Sequence, residues 1–308
     1  KEVSVEEAEE AIADKSEVMP IEEKPKPCGD YFDAYTHLRG GAQGGDVDPR
    51  EIADLLKVRM EENNVGCALV INDITKDDPL EAGIEEYADI VKDSYNKFIP
   101  FFELEVDSYS ELTKGKINDA LKAAEGKVVF KGYGEISFAD PGEWQGKSLN
   151  AVPWPEIFPL FAEKNLAFAT HPTISQGNDL SVMLTSHPNV NIIVHGQIDG
   201  IKDLLVKHKN LYYAAELETM LTGIDGFGCS PILVTDSNVN KAIKEYAPII
   251  AAAPEQVLWA TNAASKCHFQ PSFYSELIEF TDLFLEKLPE EHRDKFAYEN
   301  AINLLGTP

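Results

Sequence analysis

The sequence contains no long apolar run and few basic side chains. No stretch of about 18 or more consecutive apolar residues occurs, so the sequence predicts no membrane-spanning helix. Its 27 lysines and arginines stand against 53 acidic residues, which gives a net charge of -26. A surface with this excess of carboxylates repels nucleic acids and anionic lipids. We therefore expect no nucleic-acid partner and a small-molecule ligand, and self-association into a homo-oligomer stays open.

Cysteine is also scarce, and its spacing is irregular. The four cysteines are Cys28, Cys67, Cys229 and Cys267, and no two of them form a C-x-x-C pair. This spacing argues against a zinc knuckle. Cys67 opens an apolar segment, which favours a plain core residue. Cys229 and Cys267 follow two neighbouring strands of the fold inferred below, and we predict a disulfide between them.

The first 27 residues differ in composition from the rest of the chain. Residues 1–27 are mostly polar and acidic, contain no aromatic residue and lead into the proline-spaced sequence EEKPKPCG. This composition predicts an acidic tether ahead of one globular domain at residues 28–308. The chain begins with Lys1, which fits a mature exported protein and equally a trimmed one. We expect an exported protein, located outside the cell, in a periplasm or at a cell surface.

From Gly29 onward, short apolar segments alternate with amphipathic helical segments. Eight apolar segments are predicted to be strands, at 31–38, 66–73, 98–105, 127–136, 166–172, 190–196, 211–217 and 257–263. Eight such units in about 250 residues predict an α/β protein built as a single (β/α)8 barrel, or TIM barrel. A doubly wound open sheet fits less well, because it usually has fewer strands and a glycine-rich first turn.

Polar side chains gather near the carboxyl ends of the predicted strands. The two-residue period of a strand places Asp33, Tyr35 and His37 on one face of the first strand, and Lys131, Tyr133 and Glu135 on one face of the fourth. Three further polar residues end the fifth, sixth and eighth strands: His171, His195 and Asn262. Barrel enzymes draw their catalytic groups from several strand ends, so this distribution predicts a site at the carboxyl end of the barrel.

The strand ends together resemble the amidohydrolase superfamily, in particular the branch called amidohydrolase family 2. The similar segments lie between Gly29 and Gly306 and read FDAYTHL, KGYGEIS, FATHP, NIIVHG, VLWATNA and, in the closing helix, YENAINLLG. The resemblance implies a metal-dependent hydrolase or decarboxylase. Such enzymes bind one or two divalent cations, usually zinc or manganese, which activate water or polarise a carbonyl group.

The resemblance also implies roles for individual residues. By position, His37 and His171 correspond to metal-binding histidines of the family, and Glu135 to an acidic residue near the metal. His195 corresponds to the histidine after strand six that binds metal or touches substrate. We therefore expect His37, His171 and Glu135 to be metal ligands, and His195 and Glu135 to be catalytic.

Two positions depart from the family pattern. Tyr35 stands where the family has the first histidine of a His-x-His pair, and Asn262 stands where it has an aspartate that serves as ligand and base. A phenol must lose a proton before it binds a metal, and a neutral amide accepts no proton at pH 7. We expect an atypical metal site that hydrolyses or decarboxylates a small carbonyl compound. The alternative is an inactive exported barrel with a binding or structural role.

Other patterns support weaker hypotheses. Glu135 and Glu216 resemble the paired carboxylates of retaining glycosidases. Lys131 is either a carboxylated metal-bridging lysine or, more simply, an ion-pair partner of Asp33 or Glu135. The adjacent Cys267 and His268 suggest a nucleophile and its base.

Two segments near the predicted barrel mouth have no assigned role in this chemistry. Residues 218–240 form a long glycine-containing insert after the seventh strand, which is a candidate lid or a surface contact. Phe138, Trp144 and Trp154 either line a ligand pocket or pack in the core.

Overall fold

Eight parallel strands form one sheet in chain order. The computed structural model describes residues 26–38, 48–72, 80–94, 96–104, 106, 109–139, 144–217, 234–264 and 266–308. The strands are β1 (Tyr31–Leu38), β2 (Val65–Asn72), β3 (Phe98–Phe102), β4 (Gly132–Ser137), β5 (Ala167–His171), β6 (Ile192–Val194), β7 (Leu211–Glu216) and β8 (Val257–Ala260). Each strand pairs in parallel with the next one along the chain.

The first and last strands also meet, which closes the sheet into a barrel. The backbone N–H of His37 donates to the carbonyl of Ala263 at 2.8 Å, and the N–H of Asn262 donates to the carbonyl of Tyr35 at 2.8 Å. Thr36 and Ala263 form a parallel bridge between these two bonds. The predicted single (β/α)8 barrel is therefore confirmed.

Helices cover the outside of the barrel and bury one apolar face each against it. They span Pro49–Glu62, Leu80–Lys92, Lys114–Ala123, Trp154–Lys164, Gly177–Ser186, Ile201–Lys207, Asp236–Ala252 and Pro271–Lys287. Short helical segments follow at Glu290–Asp294, Lys295–Glu299 and Asn300–Leu305, and 3-10 turns lie at Tyr109–Glu111 and Lys266–Phe269. No helix within these described ranges is long and apolar enough to cross a membrane.

Local sequence signals explain where several helices begin. The side chain of Asp48 accepts from the N–H of Arg50 at 2.8 Å, and Pro49 occupies the first helical turn. The Thr113 and Thr235 side chains accept backbone N–H groups in the same way at two other helix starts. Each of these caps pairs an N–H that the first turn of a helix leaves without an intrahelical partner.

A disulfide joins the segment before the first strand to the second strand. Cys28 and Cys67 are bonded at a sequence separation of 39, and both are fully buried. The interpretation of Cys67 as a plain core residue is therefore wrong. Cys28 lies shortly before β1, and the N–H of Gly66 on β2 donates to its carbonyl at 2.8 Å, so backbone pairing brings the two sulfurs together. Cys267 is also disulfide-bonded, and its predicted partner Cys229 lies outside the described residues.

Strand β4 does not keep the simple alternation that the sequence predicts. The Tyr133 ring packs against Trp154 and Phe161 of the helix Trp154–Lys164, at centroid distances of 6.4 and 5.3 Å, and thus faces the outer layer. Glu135 instead faces the barrel interior. The pairing with β5 shifts register between Tyr133 and Ile136, and this irregularity breaks the two-residue period.

Candidate functional site

The Glu135 carboxylate lies at the centre of a cluster of histidines at the carboxyl end of the barrel. Its Oε2 is 3.2 Å from Nε2 of His37 on β1. Its Oε1 is 2.6 Å from Nε2 of His195, directly after β6, and 3.7 Å from Nδ1 of His171, the last residue of β5. The four residues that the sequence predicts to converge are in mutual contact through this one carboxylate.

The backbone around Glu135 explains how its side chain reaches the interior. Gly134 has φ of +113°, in the region that L side chains rarely adopt. A Cβ at this position would lie 2.2 Å from the carbonyl oxygen of Ala169 on β5. Only glycine fits this close approach, and the turn it permits directs the following carboxylate towards the histidines.

A second glycine sets the position of His171. Gly196 follows His195 with φ of +77°, and a Cβ there would lie 2.5 Å from Nε2 of His171. The imidazole of His171 therefore packs directly against the backbone of this turn, and its ring centroid is 4.2 Å from that of His195. The Tyr213 hydroxyl donates to the carbonyl of Gly196 at 3.0 Å, which holds the turn in place.

His195 lies between two carboxylates. Its Nε2 contacts Glu135, and its Nδ1 contacts Oε1 of Glu216, the last residue of β7. Burial on its own lowers the pKa of a histidine, but the charges of Glu216 and Glu135 outweigh this effect and hold the pKa of His195 well above its usual value. Burial likewise raises the pKa of the Glu135 carboxyl, but His195 and His37 reverse the effect and hold it well below its ordinary range.

The two atypical positions have roles in the packing of the cluster. The Oδ1 of Asn262 is 3.2 Å from Nε2 of His37, and the Asn262 backbone adopts a left-handed conformation with φ of 48°. The Tyr35 ring packs against His195 and His37 at centroid distances of 4.5 and 5.7 Å. The side-chain amide of Asn262 therefore orients His37 through a hydrogen bond, and the Tyr35 ring packs beneath the imidazoles of His37 and His195.

The chemical state of Tyr35 argues against a role as a metal ligand. Its side chain is fully buried, and its hydroxyl has no hydrogen-bond partner in the part of the chain that the structure describes. Burial first, and then the carboxylates Glu135 and Glu216, hold the pKa of this phenol well above its usual value. A phenol that resists ionisation offers only a neutral oxygen, which is a weak ligand for a divalent cation.

Asp33 supports the site from below. Its carboxylate accepts from the N–H and the hydroxyl of Thr261, at 3.0 and 2.6 Å, and from the N–H of Tyr35 at 3.3 Å. Burial raises the pKa of Asp33 to about 7 despite these bonds. Because the bonds join β1 to the segment after β8, Asp33 helps fix His37 against Asn262.

The donor set fits a divalent cation. One ligand atom each from Glu135, His171 and His195 lies within 4.8 Å of the others. His37 approaches the same carboxylate, and its Nδ1 is buried without a hydrogen-bond partner among the described residues. Carboxylate oxygen and imidazole nitrogen are ligands of both zinc and manganese. The assigned roles of these residues stay predictions.

Sequence reasoning overlooked the contact between Glu216 and His195. The glycosidase hypothesis does pair Glu216 with Glu135, but the imidazole of His195 stands between these two carboxylates and contacts both. Such an arrangement leaves no room for a sugar between them. The position of Glu216 at the end of β7 was the signal, since the other site residues also end strands.

The remaining hypotheses concern residues outside this cluster. Lys131 forms no ion pair with Asp33, Glu135 or any other described residue. Cys267 is disulfide-bonded and so provides no thiol nucleophile, which rules out the Cys267–His268 pair. Trp144 and Trp154 pack on each other at 4.8 Å and are buried, as is Phe138. Most of the candidate lid, residues 218–233, lies outside the described ranges.

No protein-family model matches the chain, and no curated protein matches it either. Solved structures do. An amidohydrolase from Burkholderia multivorans with bound zinc has 11% sequence identity and a TM-score of 0.62, covering 90% of this chain and 99% of that one. A dihydroxybenzoic acid decarboxylase from a Polaromonas species, with manganese and the inhibitor 2-nitroresorcinol, has 11% identity and a TM-score of 0.53, covering 90% and 97%.

A third similar structure is 4-oxalomesaconate hydratase from Rhodopseudomonas palustris. It has 10% identity and a TM-score of 0.56, and the alignment covers 89% of this chain and 95% of that one. Three differently named enzymes therefore share this fold over nearly their whole length. At such low identity the likeness establishes the (β/α)8 barrel fold alone, and the reaction has to be argued from the site.

Proposed function

We propose that this protein is a metal-dependent hydrolase or decarboxylase that acts on a small carbonyl compound at the carboxyl end of its barrel. The convergence of Glu135, His171 and His195, with His37 beside them, is the observation that supports this proposal. The similar proteins from Burkholderia and Polaromonas bind zinc and manganese, respectively, which favours the same class of cation here.

The chain's own residues divide the work of the site. Glu135, His171 and His195 would hold the cation, and Glu135 brings the negative charge that a divalent ion requires. When bound, such a cation polarises a carbonyl group or lowers the pKa of water. The neutral Asn262 holds His37 through its amide oxygen and moves no proton.

Proton transfer must therefore come from the histidine and carboxylate groups. With Nε2 of His195 on the side of the cation, its Nδ1 and the Glu216 carboxylate are the groups best placed to exchange a proton. His171 is the more exposed of the clustered histidines, with a side chain 23% accessible against 3% for His195. A substrate would reach the cluster from the His171 side.

Metal content and turnover together test the proposal. The protein is purified without chelators, and its zinc and manganese are measured by plasma mass spectrometry. We expect about one divalent ion per chain, and hydrolysis or decarboxylation in a panel of lactones and hydroxybenzoates that stops on chelation and returns with metal. A chain that binds neither ion at micromolar concentration would overturn the proposal.

A binding protein without catalysis is the second candidate. The enclosed Tyr35 ring and the neutral Asn262 favour it, because both replace groups that would otherwise serve the metal or the proton. Tight metal binding with no turnover in the same panel would support this candidate over the enzyme.

We also propose that the protein is exported. The Cys28–Cys67 disulfide supports this proposal, since such bonds persist mainly in oxidising compartments. Fractionation of the source cells, with thiol labelling under native conditions, tests it. Recovery from a reducing cytosol with labelled Cys28 would contradict it.

A further inference from the structure

Glu216 occupies an unusual place next to the site. Its carboxylate is buried, with the residue 5% exposed, and it contacts Nδ1 of His195 on the side of the ring opposite to Glu135. It belongs to a different strand from every other member of the cluster, since it ends β7. The cluster has a cation donor set without it, so its role is a separate question.

The donor and acceptor chemistry of the contact assigns a proton to Nδ1 of His195. An ionised carboxylate only accepts hydrogen bonds, so a partner nitrogen in contact with Glu216 must be the protonated one. The Nδ1 of His195 is then N–H, so only Nε2 can give up its proton and offer a lone pair to a cation. This nitrogen faces Glu135 at 2.6 Å and His171, where the cation would be held.

The backbone around the contact keeps both partners in place. The Tyr246 hydroxyl donates to the carbonyl oxygen of Glu216 at 3.1 Å, and Glu216 lies opposite Ala260 of β8. On the other side, the Tyr213 hydroxyl holds the carbonyl of Gly196 at 3.0 Å, directly after His195. The imidazole is thus fixed by its own strand and by the neighbouring strand.

We propose that Glu216 is a positioning residue, which sets the tautomer and the orientation of the His195 ring and so reserves Nε2 for the cation or for the transferred proton. This inference rests on the proposed function. Carboxylates behind a metal-binding histidine commonly act in this way, and their loss lowers metal affinity by about 10- to 100-fold.

A purely structural role makes a different prediction. If Glu216 only neutralised a buried histidine, its replacement would lower the melting temperature and leave the zinc affinity of the folded protein unchanged. Two variants separate the roles. Glu216→Gln keeps an oxygen acceptor for Nδ1 and loses the charge, whereas Glu216→Leu loses both.

The experiment measures zinc affinity by chelator competition and the protonation of His195 by 15N NMR. We expect Glu216→Gln to bind zinc about tenfold more weakly and Glu216→Leu about 100-fold more weakly. Glu255→Gln, which changes an exposed glutamate paired with Lys295, is the control and should match wild type. Melting temperatures of the zinc-free proteins report folding separately.

The NMR measurement also decides the inference when zinc is absent. In zinc-free wild type we expect a proton on each ring nitrogen of His195, because each nitrogen faces a carboxylate. In Glu216→Leu the carboxylate at Nδ1 is lost while Glu135 remains at Nε2, so the proton should stay on Nε2 and leave Nδ1. An unchanged Nδ1 proton and unchanged zinc affinity in the leucine variant would overturn the inference. Wild-type protein that binds no zinc would instead overturn the proposed function.

Discussion

His195 and His268 are both buried beyond the carboxyl end of a strand, yet their surroundings favour opposite charge states. His195 lies between the carboxylates of Glu135 and Glu216, which raise its pKa. His268 accepts the N–H of Ala264 at its Nδ1 at 3.0 Å and stacks on Phe273 at 5.0 Å. Burial, and next the nearby His37, lower the pKa of His268 to about 4.

The two rings differ in their charged partners and not in their depth of burial. Depth of burial does not separate the two rings, which are 3% and 0% exposed. Their partners do, because carboxylates concentrate charge around His195 while the surroundings of His268 favour a neutral ring. Perturbed groups with specific charged partners are the ones that commonly serve chemistry.

Removing the Glu135 carboxylate, one of the two that distinguish His195 from His268, should have the largest effect. Glu135 contacts three histidines, and Glu135→Gln leaves them without the charge that holds a cation between them. We expect zinc affinity to fall by at least about 100-fold, measured by chelator competition. Glu163→Gln, at an exposed position on a helix, is the control and should change nothing. Equal affinity in both variants would remove Glu135 from the site.

The lowered pKa of His268 predicts a pH effect on the free energy of unfolding. The folded pKa of His268 is about 4 against an ordinary value of 6.5, so the unfolded chain binds a proton first as pH falls. The stability contributed by the neutral ring is present above 6.5 and lost as pH falls towards 4.

His268→Gln tests this effect, because the glutamine amide still offers an acceptor to the N–H of Ala264. Between pH 7 and pH 5, wild type should lose about 2 kcal/mol more stability than the variant, measured by denaturant unfolding. Parallel pH dependence of the two proteins would mean that His268 takes up its proton over the same pH range in the folded and in the unfolded chain.

The packing of His171 provides a smaller effect with a matched control. A Cβ in Gly196→Ala would meet the imidazole of His171, whereas a Cβ at Gly126 meets nothing within 4 Å, and the two glycines have φ of +77° and +78°. Both alanine variants should lose about 1 kcal/mol of stability from backbone strain. Only Gly196→Ala should also weaken zinc binding, by about tenfold. Equal zinc affinities would show that His171 does not need this contact.

Introducing the residues that the amidohydrolase resemblance implies at positions 35 and 262 should have the smallest effect. Asn262→Asp places a carboxylate 3.2 Å from His37 at a φ of 48° that aspartate tolerates. Tyr35→His adds an imidazole but empties space beneath His195. Combined, they should tighten zinc binding by less than about tenfold, measured by the same competition assay. No gain, together with tight wild-type binding, would mark Tyr35 and Asn262 as functional variants of the site.

The barrel and the candidate cluster of strand-end side chains were accessible from sequence, whereas the contacts between these side chains were not. Apolar alternation predicted all eight strands, and strand-end position identified His37, Glu135, His171 and His195. The opposite faces of Tyr133 and Glu135 depend on a register shift between strands, which no local period records.

The missed pairings share a physical cause. Cys28–Cys67 forms because backbone pairing joins the segment before β1 to β2, and Glu216 contacts His195 because β7 lies beside β6. Both depend on which strands become neighbours and on where each side chain points. A two-residue period predicts neither property across strands.

Anomalous diffraction at the zinc edge tests the central claim most directly. Crystals of protein purified without chelators are measured above and below the edge. The account predicts one strong anomalous peak among Glu135, His171 and His195, within coordination distance of a carboxylate oxygen and of imidazole nitrogen. Crystals soaked in zinc that show no peak at this position, with Glu135 still paired to His195, would contradict it.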